Sequence, residues 1–523
     1  MKSQHNSTPH RSVVIVGGGA AGWLTAAIIA AEHNVKNNPN VSVTLVESPD
    51  VKILGVGEGT WPTMRDTLRK IGIDEYPFLL SCDASFKQGT CFKGWINGQS
   101  DDVYYHPFDL PAGFFETDIA AWWQQADNNV SFATLFSSQV ALCEQQKAPK
   151  QPQTPPYAAV ANYGYHLDAN KFAELLKNHS VNVLGVTHVI DHVDAIIGEP
   201  DQPMQAIRGK KGEIPGDIFI DCSGFAAMLI GQHYGVPLAP VTALKNDTAM
   251  AVQAKYKSDS TPIQSATVST AQESGWIWDI GLPTRKGTGY VYSSAHVDDD
   301  TAKATLLNYL KNDDASADVD PDAIRKIQFT PGYRKTLWKH NCIAVGTSAG
   351  FLEPLEASAL VMIELAAKDI ARLLPSNNAQ MQMASEQFNQ VMNTRWARII
   401  DFLKLHYVLS ERRDTAYWRD MTDMSGASLQ LQAWLEMWNT RPPHADDFLF
   451  NNEIFPVASY LYILYGMGYK GQVDPGRFPA QRLSQAEVAI RHNHQRLQQL
   501  LAGLPQNREL LTQLRSAAAN EAS

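Results

Sequence analysis

Three observations predict an α/β fold. Residues 12–16 form a short β-rich run that enters the turn Gly17-Gly18-Gly19-Ala20-Ala21-Gly22 and then the helix-forming run Trp23 to Ala31. A second apolar run, Cys342 to Val345, meets glycines again at Gly346 and Gly350. From residue 380 onward the chain reads mainly as helix rich in aromatics. The architecture expected is a Rossmann-like βαβ unit that binds a dinucleotide, with a largely helical region after it.

Each element has its own warrant. Gly17 permits the tight turn, Gly19 lets a pyrophosphate approach the backbone, and Gly22 lets helix and strand pack closely. Val41 to Glu47 is the next strand, and Glu47 stands where an acid accepts a hydrogen bond from a ribose hydroxyl. Residues 55–63 form a second glycine-rich loop ahead of the helix Met64 to Ile71; its Glu58 either approaches the cofactor ring or closes the loop. Ser85 to Trp95 reads as one strand, which by period two puts Lys87, Cys91, Lys93 and Trp95 on one face. The Gln-, Lys- and Pro-rich stretch 145–156 reads as an exposed loop, Asp168 as the cap of a helix through Lys177, and Val181 to Ala195 as paired strands. Asp217 to Gly224 is a strand ending in a turn, and 312–324 is a surface connection. A helix follows Phe351 and runs to Leu374, and 481–516 reads as two amphipathic helices broken at Gly503-Leu504-Pro505. In Tyr460, Tyr462 and Tyr465, helical spacing divides the rings between core and lid.

Composition excludes several functions. The formal net charge of −10, with no basic run, argues against nucleic acid as a partner. Five scattered cysteines without a C-x-x-C pair fit a reducing cytoplasm and offer no metal site. The polar start lacks a signal-peptide core, and no apolar run is long enough to cross a bilayer, so a cytoplasmic enzyme without membrane contact is expected.

Four motifs then carry a resemblance. They are the glycine turn; Gly55-Val56-Gly57-Glu58 followed by Phe86-Lys87 and Trp95; Trp276-x-Trp278-x-Ile280; and Phe351-x-x-Pro354-Leu355-Glu356. In these the chain resembles the flavin-dependent halogenases of the tryptophan halogenase type. The resemblance implies a glutathione-reductase-type FAD domain over residues 11–375, interrupted by substrate-domain insertions near 106–155 and 226–330, and a helical substrate-binding region over 376–523. It assigns Gly17, Gly19, Ala20, Gly22, Glu47, Val56, Gly57, Thr347 and Leu360 to FAD. Three departures accompany it: Gly281 stands where the family signature has proline, Ala357 replaces a serine, and Ala359 replaces a glycine.

The implied chemistry uses FADH2 from a separate flavin reductase, dioxygen, and chloride or bromide. Hypohalous acid would form at the flavin and travel inside the protein to Lys87. That lysine would hold it, by hydrogen bonding or as a haloamine, beside an electron-rich ring such as indole or a tryptophan-like arene. Glu356 would take the ring proton or orient the oxidant. The halide would rest on the backbone N–H groups of Ser358 and Ala359 at a helix start. Trp276 and Trp278 would keep the arene off the flavin as a steric gate. His106, His166 and His406 read as structural, and a homodimer suits a chain of this size. The alternative is an FAD-dependent aromatic hydroxylase, which needs its substrate against the flavin; the paired tryptophans oppose that. A flavin-binding scaffold without turnover has no use for both Lys87 and Glu356.

Overall fold

The computed structural model describes residues 10–50, 55, 57–126, 130–448 and 453–522. Val56 lies outside the described residues. The first sheet has six strands in the order Trp338–Lys339, Cys342–Ala344, Ile218–Asp221, Arg11–Val16, Val41–Glu47 and Thr187–Ile190. All its pairings are parallel except that of the edge strand Trp338–Lys339. Strands buried on both faces need apolar side chains throughout, which is why residues 13–16 are all apolar and buried. The helix Ala20–Glu32 follows the first strand and packs against Ser358–Leu373 and Ala169–Asn182. The fold class is thus α/β with a parallel Rossmann-like sheet, as the glycine pattern and its context predict.

A second sheet of seven strands carries the aromatic motif. Its order is Arg325–Gln328, Thr248–Lys255, Arg285–Tyr292, Gly275–Gly281, Thr267–Gln272, Gly89–Lys93 and Val103–Pro107. A small sheet of Glu58–Gly59, Gly164–Leu167 and Ser85–Lys87 bridges toward it. The C-terminal part is helical. Met381–Val408 is the longest helix there, and Ala480–Gly503 and Asn507–Ala522 are the two amphipathic helices expected around residue 503. No helix among the described residues is long and apolar enough to cross a membrane.

Four sequence expectations are corrected. Ser85 to Trp95 is not one strand: it breaks after Lys87, and Ser85–Lys87 and Gly89–Lys93 join different sheets. At Gly89 the chain passes so close to its neighbour that a Cβ there would lie 2.4 Å from the His106 carbonyl oxygen. The break removes the shared face, so Lys87 is buried while Lys93 is exposed. Val181 to Ala195 does not pair with itself. Its first residues end the helix Ala169–Asn182, Thr187–Ile190 joins the parallel sheet, and Ala195–Ile197 joins a separate meander. The stretch 145–156 is only partly exposed: the Lys150 ammonium is buried on Glu75 at 2.7 Å and also donates to Tyr163. Within 312–324, Asp313 bonds the buried Lys286 at 2.6 Å, so one end of that connection is anchored inside.

Candidate active site

The glycine turn leaves one opening. Gly17 has φ +120°, and a Cβ on it would sit 2.1 Å from the Cys222 carbonyl oxygen. A Cβ on Gly22 would meet the Gly17 carbonyl oxygen at 1.9 Å, so this glycine lets the helix begin directly on the turn. Around Gly19 there is nothing within 4 Å, and Ala20 opens the helix. Closed on two sides and open at the helix N-terminus, the turn fits a pyrophosphate. Glu47 packs under Gly18, and its Oε2 lies 2.9 Å from His188 Nε2. The second glycine segment arrives beside the first: Gly346 has φ +74°, and a Cβ on it would crowd that of Ala21 at 2.8 Å. Thr347 follows it, Leu360 is buried in the first turn of Ser358–Leu373, and Gly57 lies over Gly287 and Ile280.

Lys87 and Glu356 are both buried. Lys87 ends the strand Ser85–Lys87 and is 1% exposed. Its ammonium faces the Phe108 ring at 5.4 Å and makes no hydrogen bond or ion pair among the described residues. Gly59 provides the room: a Cβ there would be 3.2 Å from the Lys87 nitrogen and 3.1 Å from the Ala357 methyl. Burial pulls the Lys87 ammonium down to about 8, against the opposing charge of Glu356.

Glu356 is held by strain and by two imidazoles. Glu356 and Ala357 both have left-handed backbones, φ +63° and +54°, which non-glycine residues adopt only when their surroundings enforce it. Trp61 Nε1 donates to the Glu356 carbonyl at 2.8 Å and pins that turn. The side chain is then delivered to His106, whose Nδ1 is 2.9 Å from Oε1, and to His406, whose Nε2 is 3.2 Å from the same oxygen. The far nitrogen of His106 reaches Ser459 Oγ at 2.9 Å, and that of His406 reaches Tyr104 Oη at 2.7 Å. Burial alone would push the Glu356 carboxyl up, but the two imidazoles outweigh it and hold the group well below the usual carboxylate range. His106 and His406, expected to be structural, both lie against the Glu356 carboxylate. Only His166, on Thr267 Oγ1 at 2.8 Å, stands apart from the carboxylate. No local spacing announces these partners, because His106 is 250 residues from Glu356 in sequence.

The paired tryptophans share one face of Gly275–Gly281, and their rings are 6.4 Å apart. Trp276 Nε1 donates to Glu353 Oε2 at 2.6 Å. Trp278 lies so close over Gly289 that a Cβ there would be 2.2 Å from the indole. Ser358, Ala359, Thr347 and Glu353 line a small apolar cavity of about 80 Å3, closed behind by Met392 and Trp396. Glu58, partly buried, has its carboxyl pushed up to about 7 by desolvation. The tyrosines of Val457–Gly466 do not divide between core and lid: Tyr460, Tyr462 and Tyr465 are all buried. Phe132 and Trp123 pack against Tyr465, and Trp434 and Phe448 against Tyr460, which leaves no outward face for a lid.

Fold and site together describe a flavin-dependent oxidoreductase. Comparison with known proteins gives the family. The family model for tryptophan halogenases matches residues 12–477. The chain is 31% identical to tryptophan 6-halogenase SttH of Streptomyces toxytricini, over 88% of this chain and 90% of that one. It superposes on the crystal structure of a tryptophan halogenase from Shewanella frigidimarina with a TM-score of 0.92 at 46% identity, over 97% and 98% of the two chains. BrvH, a flavin-dependent halogenase from Brevundimonas, superposes with a TM-score of 0.84 at 32% identity, over 97% and 100%. The chain belongs to the tryptophan halogenase family and is a flavin-dependent halogenase.

Proposed function

We propose that the protein adds chlorine or bromine to an electron-rich aromatic, an indole or tryptophan-like ring, with Lys87 presenting the electrophilic halogen. The observation that carries this reading is the buried Lys87 ammonium, which faces an aromatic ring and lacks an acceptor among the described residues. A desolvated cation without an acceptor is costly, and the oxygen of hypohalous acid supplies one.

FAD would be held by Gly17, Gly19, Ala20, Gly22 and Glu47, with Val56, Gly57, Thr347 and Leu360 toward its ring. Bound and reduced, it supplies with dioxygen the oxidising equivalent that converts halide to hypohalous acid. The halide would sit on the N–H groups of Ser358 and Ala359. Lys87 would then polarise the oxidant toward an arene held beside it. Glu356 takes the proton released when the ring regains aromaticity. Its low basicity suffices, because a protonated arene is a far stronger acid than a carboxylic acid. His106 and His406 hold the carboxylate in place during that transfer. Trp276 and Trp278 bar the arene from the flavin.

We read residues 11–375 as the cofactor-binding part, with insertions near 106–155 and 226–330, and 376–523 as the substrate-binding part. FADH2 arrives from a separate reductase, and a cytoplasmic homodimer suits the chain. The experiment is a panel of indoles and tryptophan with a flavin reductase and each halide in turn, read by mass spectrometry. Halogenated product that requires the halide is expected. Hydroxylated product formed equally without halide would replace this reading with the aromatic hydroxylase.

A further inference from the structure

Two residues that line the cavity beside Ser358 and Ala359, Glu353 and Trp396, each carry a buried polar atom without a partner among the described residues. Glu353 is 1% exposed and lines it. Three donors converge on its Oε2: Asn246 Nδ2 at 2.6 Å, Trp276 Nε1 at 2.6 Å and Tyr407 Oη at 2.8 Å. Its Oε1 is buried with no hydrogen-bond partner among the described residues. Trp396 lines the same cavity, stacked on Tyr333 at 5.3 Å, and its indole N–H is likewise buried without a partner. The void of about 80 Å3 is several times the roughly 10–15 Å3 that one ordered water requires. Buried polar atoms are ordinarily paired, so two such atoms on residues around one void suit it to a small polar ligand.

The charge on Glu353 decides which ligand fits. An ionised carboxylate would turn a bare negative oxygen into the cavity and exclude an anion. A neutral acid keeps Oε2 as acceptor for its three donors and turns an O–H from Oε1 into the void. The cavity would then offer the Glu353 hydroxyl and the Trp396 N–H beside the start of the helix Ser358–Leu373, where anions are favoured. Burial also pushes the Glu353 carboxyl up, toward that neutral form. Asn246, Trp276, Tyr407 and Tyr417 face it uncharged, and the cation acting on it is Lys404.

We propose that Glu353, as the neutral acid, and Trp396 are side-chain ligands of the halide in this cavity, and that Glu353 thereby ties halide occupancy to the gate residue Trp276. This rests on the reading above that a halide is consumed. Halide and a proton on Glu353 favour each other, and the coupling is reciprocal. Above the point where Glu353 ionises, bromide affinity falls with pH, approaching about tenfold per pH unit. Lys404, itself pulled down to about 8 by burial, loses its charge on the same rise and weakens an anion's hold directly, so only the part of the slope that Glu353→Gln abolishes belongs to Glu353.

The test is sodium bromide titrated calorimetrically into the FAD-loaded enzyme across a pH series. The wild type is expected to lose affinity as pH rises. Glu353→Gln, which keeps an acceptor for the three donors and a neutral N–H donor for the void, should bind bromide with no such slope. Trp396→Phe should weaken binding about tenfold at every pH while keeping the slope. A wild-type affinity independent of pH, or a Glu353→Gln variant with the wild-type slope, overturns the assignment of Glu353. Unchanged affinity in Trp396→Phe overturns that of the indole, and neither the wild-type series nor this variant depends on Glu353→Gln folding. Product formed without any halide would instead sink the halogenation reading itself.

Discussion

Lys87 carries the most exposed claim, and two outcomes follow from its surroundings. Lys87→Ala removes the group proposed to hold the oxidant, while the glycine turn lies elsewhere in the fold. Halogenation should fall at least about a hundredfold, with FAD affinity unchanged when titrated by flavin fluorescence; surviving turnover would remove Lys87 from the mechanism. The second outcome is a pH profile. In the proposed mechanism the ammonium is the donor, and burial brings its loss down to about pH 8. The charged form is present below that value and disappears above it, so kcat should decline as pH passes about 8. A rate that climbs through the same range would mean that the neutral amine, as a haloamine, is the working species.

Among the elements, the first turn and helix depend on a single missing methyl. A Cβ at Gly22 would lie 1.9 Å from the Gly17 carbonyl oxygen, a backbone atom that cannot move without opening the turn. Gly22→Ala should cost roughly 1–3 kcal/mol in stability and weaken FAD binding, read as a lower Tm and a higher Kd. Unaltered values for both would show that helix and turn need not touch. The strand Ser85–Lys87 is the contrary case. Its residues gave period two and a shared face with Cys91 and Lys93, but the break at Gln88-Gly89 sends the halves into different sheets. Alternation along a run says nothing about where its hydrogen-bond partners lie, so that break was invisible in the run itself.

At the scale of the whole molecule, the last helix backs the strand that carries Lys87. Asn507 Nδ2, at the start of Asn507–Ala522, donates to the Phe86 carbonyl at 3.1 Å, one residue before Lys87. Arg515 pairs with Asp83, and Arg508 lies over the Tyr256 ring at 4.8 Å. Removing residues 504–523 frees the back of the strand that aims Lys87. Halogenation should drop at least about tenfold through misplacement, with FAD binding retained. Full activity in the truncated enzyme would show that the strand is held without the helix.

The nucleotide turn, the paired tryptophans and the two amphipathic C-terminal helices were legible because each is local. Glycines, indoles and helical periodicity act over a few residues, and short-range sterics fix their consequences wherever they occur. Lys87 and Glu356 were singled out together through motifs, but the surroundings that bury them were not legible. What surrounds Glu356 comes from His106, 250 residues before it, and from His406 on the long helix Met381–Val408, each held by its own partner. Single histidines carry no mark of what they will face. The buried Lys150, which its Gln- and Pro-rich neighbourhood suggested was exposed, makes the same point. Whether a polar side chain is solvated or committed is settled by which distant segments desolvate it, and only packing of the complete chain brings those together.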